Sequence, residues 1–271
     1  MTHLFGNRSF SVLFFEDYQK DYDEEFGSME RFRKGHYFYL KVMAMMCTKF
    51  QNVIFVDDDA FLLRDPLFLL NTRQFQETGA LFWHDMYGIH PENLIWQILE
   101  LEKRTGLAGE SGMVVLNKAI AWKGLYFVAY MNNKQNVFYR MVWGDKDTFF
   151  LGFDYMKQNY TFMPYAPNTI GNSRYYFSFV QAGPDGIPLF IHLVSGKRYF
   201  MRSRRNQLSR VLLYDPNTCY LHVDTYYSFT VRKDKGCVTQ SESYKKVVGN
   251  VPMYITRSYW NAVDELNAIG N

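Results

Sequence analysis

The sequence predicts an α/β fold: a mostly parallel sheet flanked by helices, with a β-rich elaboration towards the C-terminus. Three observations carry this. Short, continuously apolar runs recur at Asn52–Val56, Gly79–Trp83 and Ser111–Leu116, the signature of strands buried on both faces. Helix-like stretches alternate with them at residues 37–50, 91–104 and 118–132, and that alternation implies crossover connections and a parallel sheet. From about residue 159 the pattern changes to short β-like runs broken by turns such as Gly183-Pro184-Asp185-Gly186.

Taken in order, residues 10–15 read as a strand, and the charged stretch from Glu16 to Gly35 reads as a loop. Residues 37–50 contain no Gly or Pro and are apolar on most faces, which predicts a helix. The strand Asn52–Val56 stops in Asp57-Asp58-Asp59, and a second apolar segment, Leu67–Leu70, follows Arg64-Asp65-Pro66. Gly79–Trp83 is a strand ending in His84-Asp85, and Pro91 opens a helix over 91–104. A strand at Ser111–Leu116 leads into a helix that stops at Asn132-Asn133. Gly144-Asp145-Lys146-Asp147 precedes a further helix from Thr148 to Phe153, and the tail 219–260 is rich in Tyr, Thr and Val. No repeat or linker divides the chain. The expected organisation is one α/β domain over residues 1–200, with residues 201–271 packed on it as a β-rich extension.

Composition narrows the function. A chain of 271 residues can bury a sizeable core, and 30 Lys+Arg against 27 Asp+Glu leaves no basic excess of the kind nucleic-acid binders show. Hydrophobic content of 48% excludes wholesale disorder. The 18% aromatic content reads either as a core padded with rings or as rings lining a site that stacks sugars. No apolar run approaches the ~18 residues that span a bilayer. The short run Phe10–Phe15 meets Glu16 and Asp17 at once and does not read as a signal peptide. Cys47 lies in an apolar run and is expected as a buried free thiol, whereas pairing of Cys219 with Cys237 stays open. Sequons at Asn7 and Asn159 are compatible with a secretory location.

Four clusters can carry chemistry. A buried strand ending in three carboxylates delivers negative charge to the sheet edge where α/β proteins bind ligands. Asp57 and Asp59, two apart, can face one way and suit Mg²⁺ or Mn²⁺ shared with phosphate oxygens; the plainer reading is a solvated acidic turn. His192 closes a strand five positions before Lys197. Its imidazole can complete a Mn²⁺ shell and the Lys197 ammonium can meet a diphosphate, although a lone histidine is more often structural. Asp145 is either a functional carboxylate at a helix start or an N-cap. Glu110-Ser111-Gly112 enters a strand where the Gly112 backbone can approach a ligand closely.

At these residues the sequence resembles the fungal-type α-mannosyltransferases of glycosyltransferase family 71, which add α-1,2 or α-1,3 mannose. The likeness runs through Tyr39–Ala44, Phe50–Asp59, Arg64–Phe68, Thr78–Asp85, Glu110–Lys118 and Gly144–Phe149, in the family's order. It implies a GT-A-type nucleotide-sugar-binding fold whose DXD metal motif is Asp57 and Asp59. The stretch His192 to Lys197 is similar to the metal-and-phosphate motif of related retaining enzymes such as glycogenin. There the His is the third metal ligand and the Lys meets the diphosphate. Asp145 takes the place of the acid near the anomeric carbon. Only about 50 residues precede the DXD strand, so the nucleobase-cradling first strand is expected to be missing, as are the membrane anchor and stem of the Golgi enzymes.

The resemblance thus implies a retaining transferase using Mn²⁺ or Mg²⁺ and GDP-mannose, acting on a mannose-containing glycan in protein glycosylation, in the Golgi. Asp57, Asp59 and His192 are the expected metal ligands. Lys41, Asp58, Lys197 and Gly112 are expected around the nucleotide, and Asp145, Asp85 and Glu110 around the reacting sugars. Trp83 and Trp143 can form a sugar platform or belong to the core. The competing expectations are a UDP-sugar donor and a non-catalytic glycan-binding relative.

Overall fold

A computed structural model describes residues 16–27, 37–171, 176–193, 220–224 and 228–232. The elements in order are α1 (Glu16–Phe26), α2 (Tyr39–Cys47), β1 (Asn52–Val56), β2 (Ala60–Leu62), a 3₁₀ turn (Pro66–Asn71) and α3 (Arg73–Thr78). There follow β3 (Ala80–His84), α4 (Ile95–Ile98), β4 (Gly109–Asn117), α5 (Lys118–Asn133), α6 (Gln135–Phe138) and α7 (Lys146–Tyr155). The remaining strands are β5 (Thr161–Phe162), β6 (Asn168–Gly171), β7 (Tyr176–Ala182), β8 (Pro188–His192), β9 (Tyr220–Asp224) and β10 (Ser228–Arg232).

Two four-stranded sheets form the frame, in the orders β1-β4-β3-β5 and β2-β8-β7-β6, and β9 pairs with β10. Strand alternation decides the layering. On β3, Ala80 and Phe82 face a cluster with Val128 of α5 and Phe149 and Phe153 of α7. Leu81 and Trp83 face the opposite cluster, with Phe75 of α3 and Leu189 and Phe190 of β8. Val114 and Leu116 of β4 join the first cluster, and Met113 and Val115 the second. The first sheet is therefore sandwiched between helices and the second sheet.

That arrangement corrects the expectation of a mostly parallel sheet. Among the described pairs only β3 with β5 is parallel; β1 and β3 both pair antiparallel with β4, and the second sheet is antiparallel throughout. A continuous apolar run reports burial on both faces and carries no information about strand direction. Here the second face is covered by a sheet, so antiparallel strands acquire the composition of parallel ones.

Two further expectations change. The segment read as a charged loop forms α1 at Glu16–Phe26, where Tyr22 and Phe26, four apart on one face, are buried against α5. The helix expected over 91–104 shrinks to Ile95–Ile98. Glu100 turns left-handed at φ 51 and Leu101 N–H reaches back to the Trp96 carbonyl at 2.9 Å, a C-terminal cap made without the usual glycine. Of the C-terminal extension, β9 and β10 are described. The strand at 10–15, Lys197, Cys219 and Cys237 lie outside the described residues. Cys47 is a half-buried free thiol. No helix among the described residues is long and apolar enough to cross a membrane.

Candidate functional site

The acidic turn is where the chain passes from one sheet to the other. Asp57 N–H still donates to the Gly112 carbonyl of β4 at 2.9 Å, while the Asp57 carbonyl accepts from Ala60 N–H at 3.0 Å and closes a β-turn around Asp58 and Asp59. Ala60 opens β2 directly opposite His192, and Leu193 N–H donates to the Asp59 carbonyl at 3.0 Å. Both ends of the turn are pinned to different sheets. One donor atom from each of Asp57, Asp59 and His192 thereby falls within 4.8 Å of the others. His192 Nε2 lies 3.3 Å from Asp59 Oδ1 and 3.9 Å from Asp57 Oδ2. Asp58, at the turn's centre, is exposed.

His192 is held from behind. Its Nδ1 meets Glu110 Oε1 at 2.5 Å, and the same carboxylate oxygen accepts from Gly112 N–H at 2.7 Å. A Cβ at Gly112 would lie 2.5 Å from His192 Nδ1, so the space beside this glycine is taken by the imidazole. Glu110 reaches this place because β4 slips register against β3 between Leu81 and Trp83, a bulge that re-aims Glu110-Ser111-Gly112. Burial opposes the imidazolium, but Glu110 and Asp59 outweigh it and lift the His192 pKa to about 10. Burial likewise pushes the Glu110 carboxyl up, yet His192 holds it below its ordinary value.

This arrangement fits a divalent cation. Two carboxylates and an imidazole are hard and borderline donors suited to Mn²⁺ or Mg²⁺. A carboxylate on the far nitrogen is the usual way a ligating histidine is oriented.

The second half of the site is organised by Lys41 on α2. Its Nζ is 2.7 Å from Asp57 Oδ2 and 3.0 Å from Asp145 Oδ2, and it also donates to Ser111 Oγ at 3.1 Å. Ser111 Oγ donates in turn to Asp145 Oδ2 at 2.8 Å. Burial works against the ammonium, but Asp145 and Asp57 raise the Lys41 pKa above its ordinary value. For Asp57, burial dominates and the pKa rises despite Lys41. Asp145 precedes α7 in helical conformation and makes no side-chain cap, so its buried carboxylate is spent on Lys41 and Ser111.

Asp85, at the end of β3, belongs to a neighbouring cluster. Lys146 Nζ bridges Asp85 Oδ2 at 2.7 Å and Asp147 Oδ1 at 3.0 Å, and Asp85 Oδ1 accepts from Met86 N–H at 2.5 Å. Lys146, Asp147 and Ser111 were not among the expected site residues; the sequence brought them up only within the Gly144-Asp145-Lys146-Asp147 and Glu110-Ser111-Gly112 clusters, with Asp147 as the fallback carboxylate should Asp145 be a helix cap. The two tryptophans separate: Trp83 is core and donates to the Ala182 carbonyl at 2.8 Å, whereas Trp143 is exposed.

The family described as "Mannosyltransferase putative" matches residues 12–106 and 98–183 of this chain, well over half of it. Two relatives from Candida albicans are similar. "Putative alpha-1,3-mannosyltransferase MNN14" is 25% identical over 164 residues, 50% of this chain and 24% of its own length. "Putative alpha-1,3-mannosyltransferase MNN13" is 26% identical over 165 residues, 49% of this chain and 21% of its own length. The match therefore spans less than a quarter of either relative. The family match takes in Lys41, Asp57, Asp59, Asp85, Glu110 and Asp145 and ends short of His192. On the extent of that match, the chain belongs to this mannosyltransferase family.

Proposed function

We propose that the chain carries the centre of a metal-dependent, retaining α-mannosyltransferase of GT-A type, which uses GDP-mannose and a mannose-containing glycan in the Golgi lumen. The observation that carries this reading is the convergence of Asp57, Asp59 and His192, with Asp145 tied to the same point through Lys41. Asp57, Asp59 and His192 would hold Mn²⁺ or Mg²⁺. Such an ion, when bound, offsets negative charge on a diphosphate leaving group, so that group needs no proton.

The chain's own residues do the rest. Glu110 orients His192. Lys41 holds Asp145 in place, so that its carboxylate can face positive charge developing at the anomeric carbon. Ser111 fixes the rotamer of Asp145. Asp85 anchors Lys146 next door and reaches the sugars through its remaining lone pairs. Lys197, outside the described residues, keeps its expected role at the diphosphate.

Calorimetry of GDP-mannose and UDP-glucose, with and without Mn²⁺, tests the reading. GDP-mannose is expected to bind only with Mn²⁺ present, and Asp59→Asn is expected to abolish binding with the fold retained by circular dichroism. Preferential binding of UDP-glucose would replace the donor; binding of neither nucleotide sugar by the folded wild type would overturn the function.

A further inference from the structure

The turn that presents Asp145 also presents the most exposed large apolar side chain among the described residues. Trp143 is 79% exposed. The other described tryptophans are accounted for: Trp83 and Trp96 are core, and Trp122 carries the Lys123 ammonium 5.9 Å from its ring.

The backbone beneath Trp143 is firmly held. Its N–H donates to Asp147 Oδ2 at 3.1 Å, and Asp147 is buried and paired with Lys146, which Asp85 also grips. The next residue, Gly144, takes φ +72, a conformation a side chain rarely adopts, and a Cβ there would lie 3.2 Å from the Phe38 ring. Asp145 then turns inward to Lys41. Phe38, on the other arm, precedes Lys41 by three residues and is itself 43% exposed. Aromatic rings thus stand on both chain segments that supply the Lys41–Asp145 pair. Two residues of chain span at most about 7 Å, so the Trp143 backbone lies within that distance of Asp145.

A solvent-facing indole on a held backbone, two residues from a buried carboxylate, matches a polyhydroxylated ring, which has an apolar C–H face for the indole and hydroxyls for the acids. We propose that Trp143, flanked by Phe38, is the platform on which a pyranose ring of the acceptor glycan stacks, so that Trp143 sets affinity for the acceptor and not for the donor. The proposal rests on the glycosyl-transfer reading above.

The test uses Trp143→Ala and Trp143→Phe with methyl α-mannoside and an α-linked mannobiose as probes. Ligand-detected NMR without any donor is expected to show mannoside contacts in the wild type, their loss in Trp143→Ala and partial return in Trp143→Phe. The KM for mannobiose should rise tenfold or more in Trp143→Ala while the Kd for GDP-mannose stays within twofold. Unchanged NMR contacts and KM in a folded variant would overturn the proposal. So would a change in sedimentation with sugar binding intact, which would assign the ring to self-association. A wild type that binds mannoside through Trp143 but binds no nucleotide sugar would leave the platform standing and remove the transferase reading.

Discussion

Glu110 on β4 grips the Nδ1 of His192 on β8 at 2.5 Å, across two strands that belong to different sheets. The contact fixes which imidazole nitrogen faces Asp57 and Asp59. It also gives Glu110 a positioning role, where the sequence suggested a contact with sugar hydroxyls. Glu110→Gln keeps the size but removes the charge, and loss of such a supporting carboxylate costs about 10–100-fold in metal affinity. Mn²⁺ titration calorimetry on a folded variant measures this. Unchanged affinity would detach Glu110 from the metal site.

Gly112→Ala tests the other side of the same socket. The added Cβ would stand 2.5 Å from His192 Nδ1 and 3.0 Å from Glu110 Oε1, and Glu110 is buried. Overpacking of this kind costs about 1–3 kcal/mol. A lower melting temperature together with weaker Mn²⁺ binding is expected. Full Mn²⁺ affinity would show that His192 is free to move aside.

Lys41 is the cation shared by Asp57 and Asp145. Lys41→Met leaves the buried Asp145 and the half-buried Asp57 without their shared cation, a loss of up to about 3–5 kcal/mol for breaking a buried pair. Thermal denaturation should show the loss, and Mn²⁺ should return part of it by supplying charge to Asp57. A variant as stable as the parent would mean that the pair contributes nothing to folding.

The metal-free protein should lose stability in alkali. The His192 pKa is about 10 in the fold against an ordinary 6.5, so the folded state holds this proton more tightly than the unfolded chain. Its contribution is complete below pH 6.5 and disappears as pH rises through 10. His84 acts in the opposite direction: burial lowers its pKa to about 4, so stability falls as pH drops from 6.5 through 4. Melting temperatures across pH 4–10 should therefore peak near neutrality, and His192→Gln should flatten the alkaline limb. An alkaline limb unchanged by that substitution would refute the assignment.

Much of this centre was legible in the sequence because its residues sit at the ends or starts of strongly patterned elements. Asp57 and Asp59 follow an apolar strand, Asp145 precedes a helix, and His192 closes a strand. Lys41 was placed near phosphate oxygens, and nothing local could show that three of its neighbours are Asp57, Asp145 and Ser111. The α1 helix was missed because its polar and charged residues mask the spacing of Tyr22 and Phe26, which only the docking surface of α5 makes meaningful.

The sequence alone determined the strands β1, β3 and β4 and their burial: continuous apolar runs require two covered faces, and an acidic turn after β1 requires positive charge nearby. It could not determine strand direction, because a covered strand has the same composition whichever way its neighbour runs. Nor could it determine that β1 and β2 enter different sheets. That crossing sets His192 opposite Ala60, brings it over Asp59 and leaves Glu110 behind it. These contacts join residues as far apart in the chain as Asp59 and His192, and only the packing of two sheets against each other brings such residues within bonding distance.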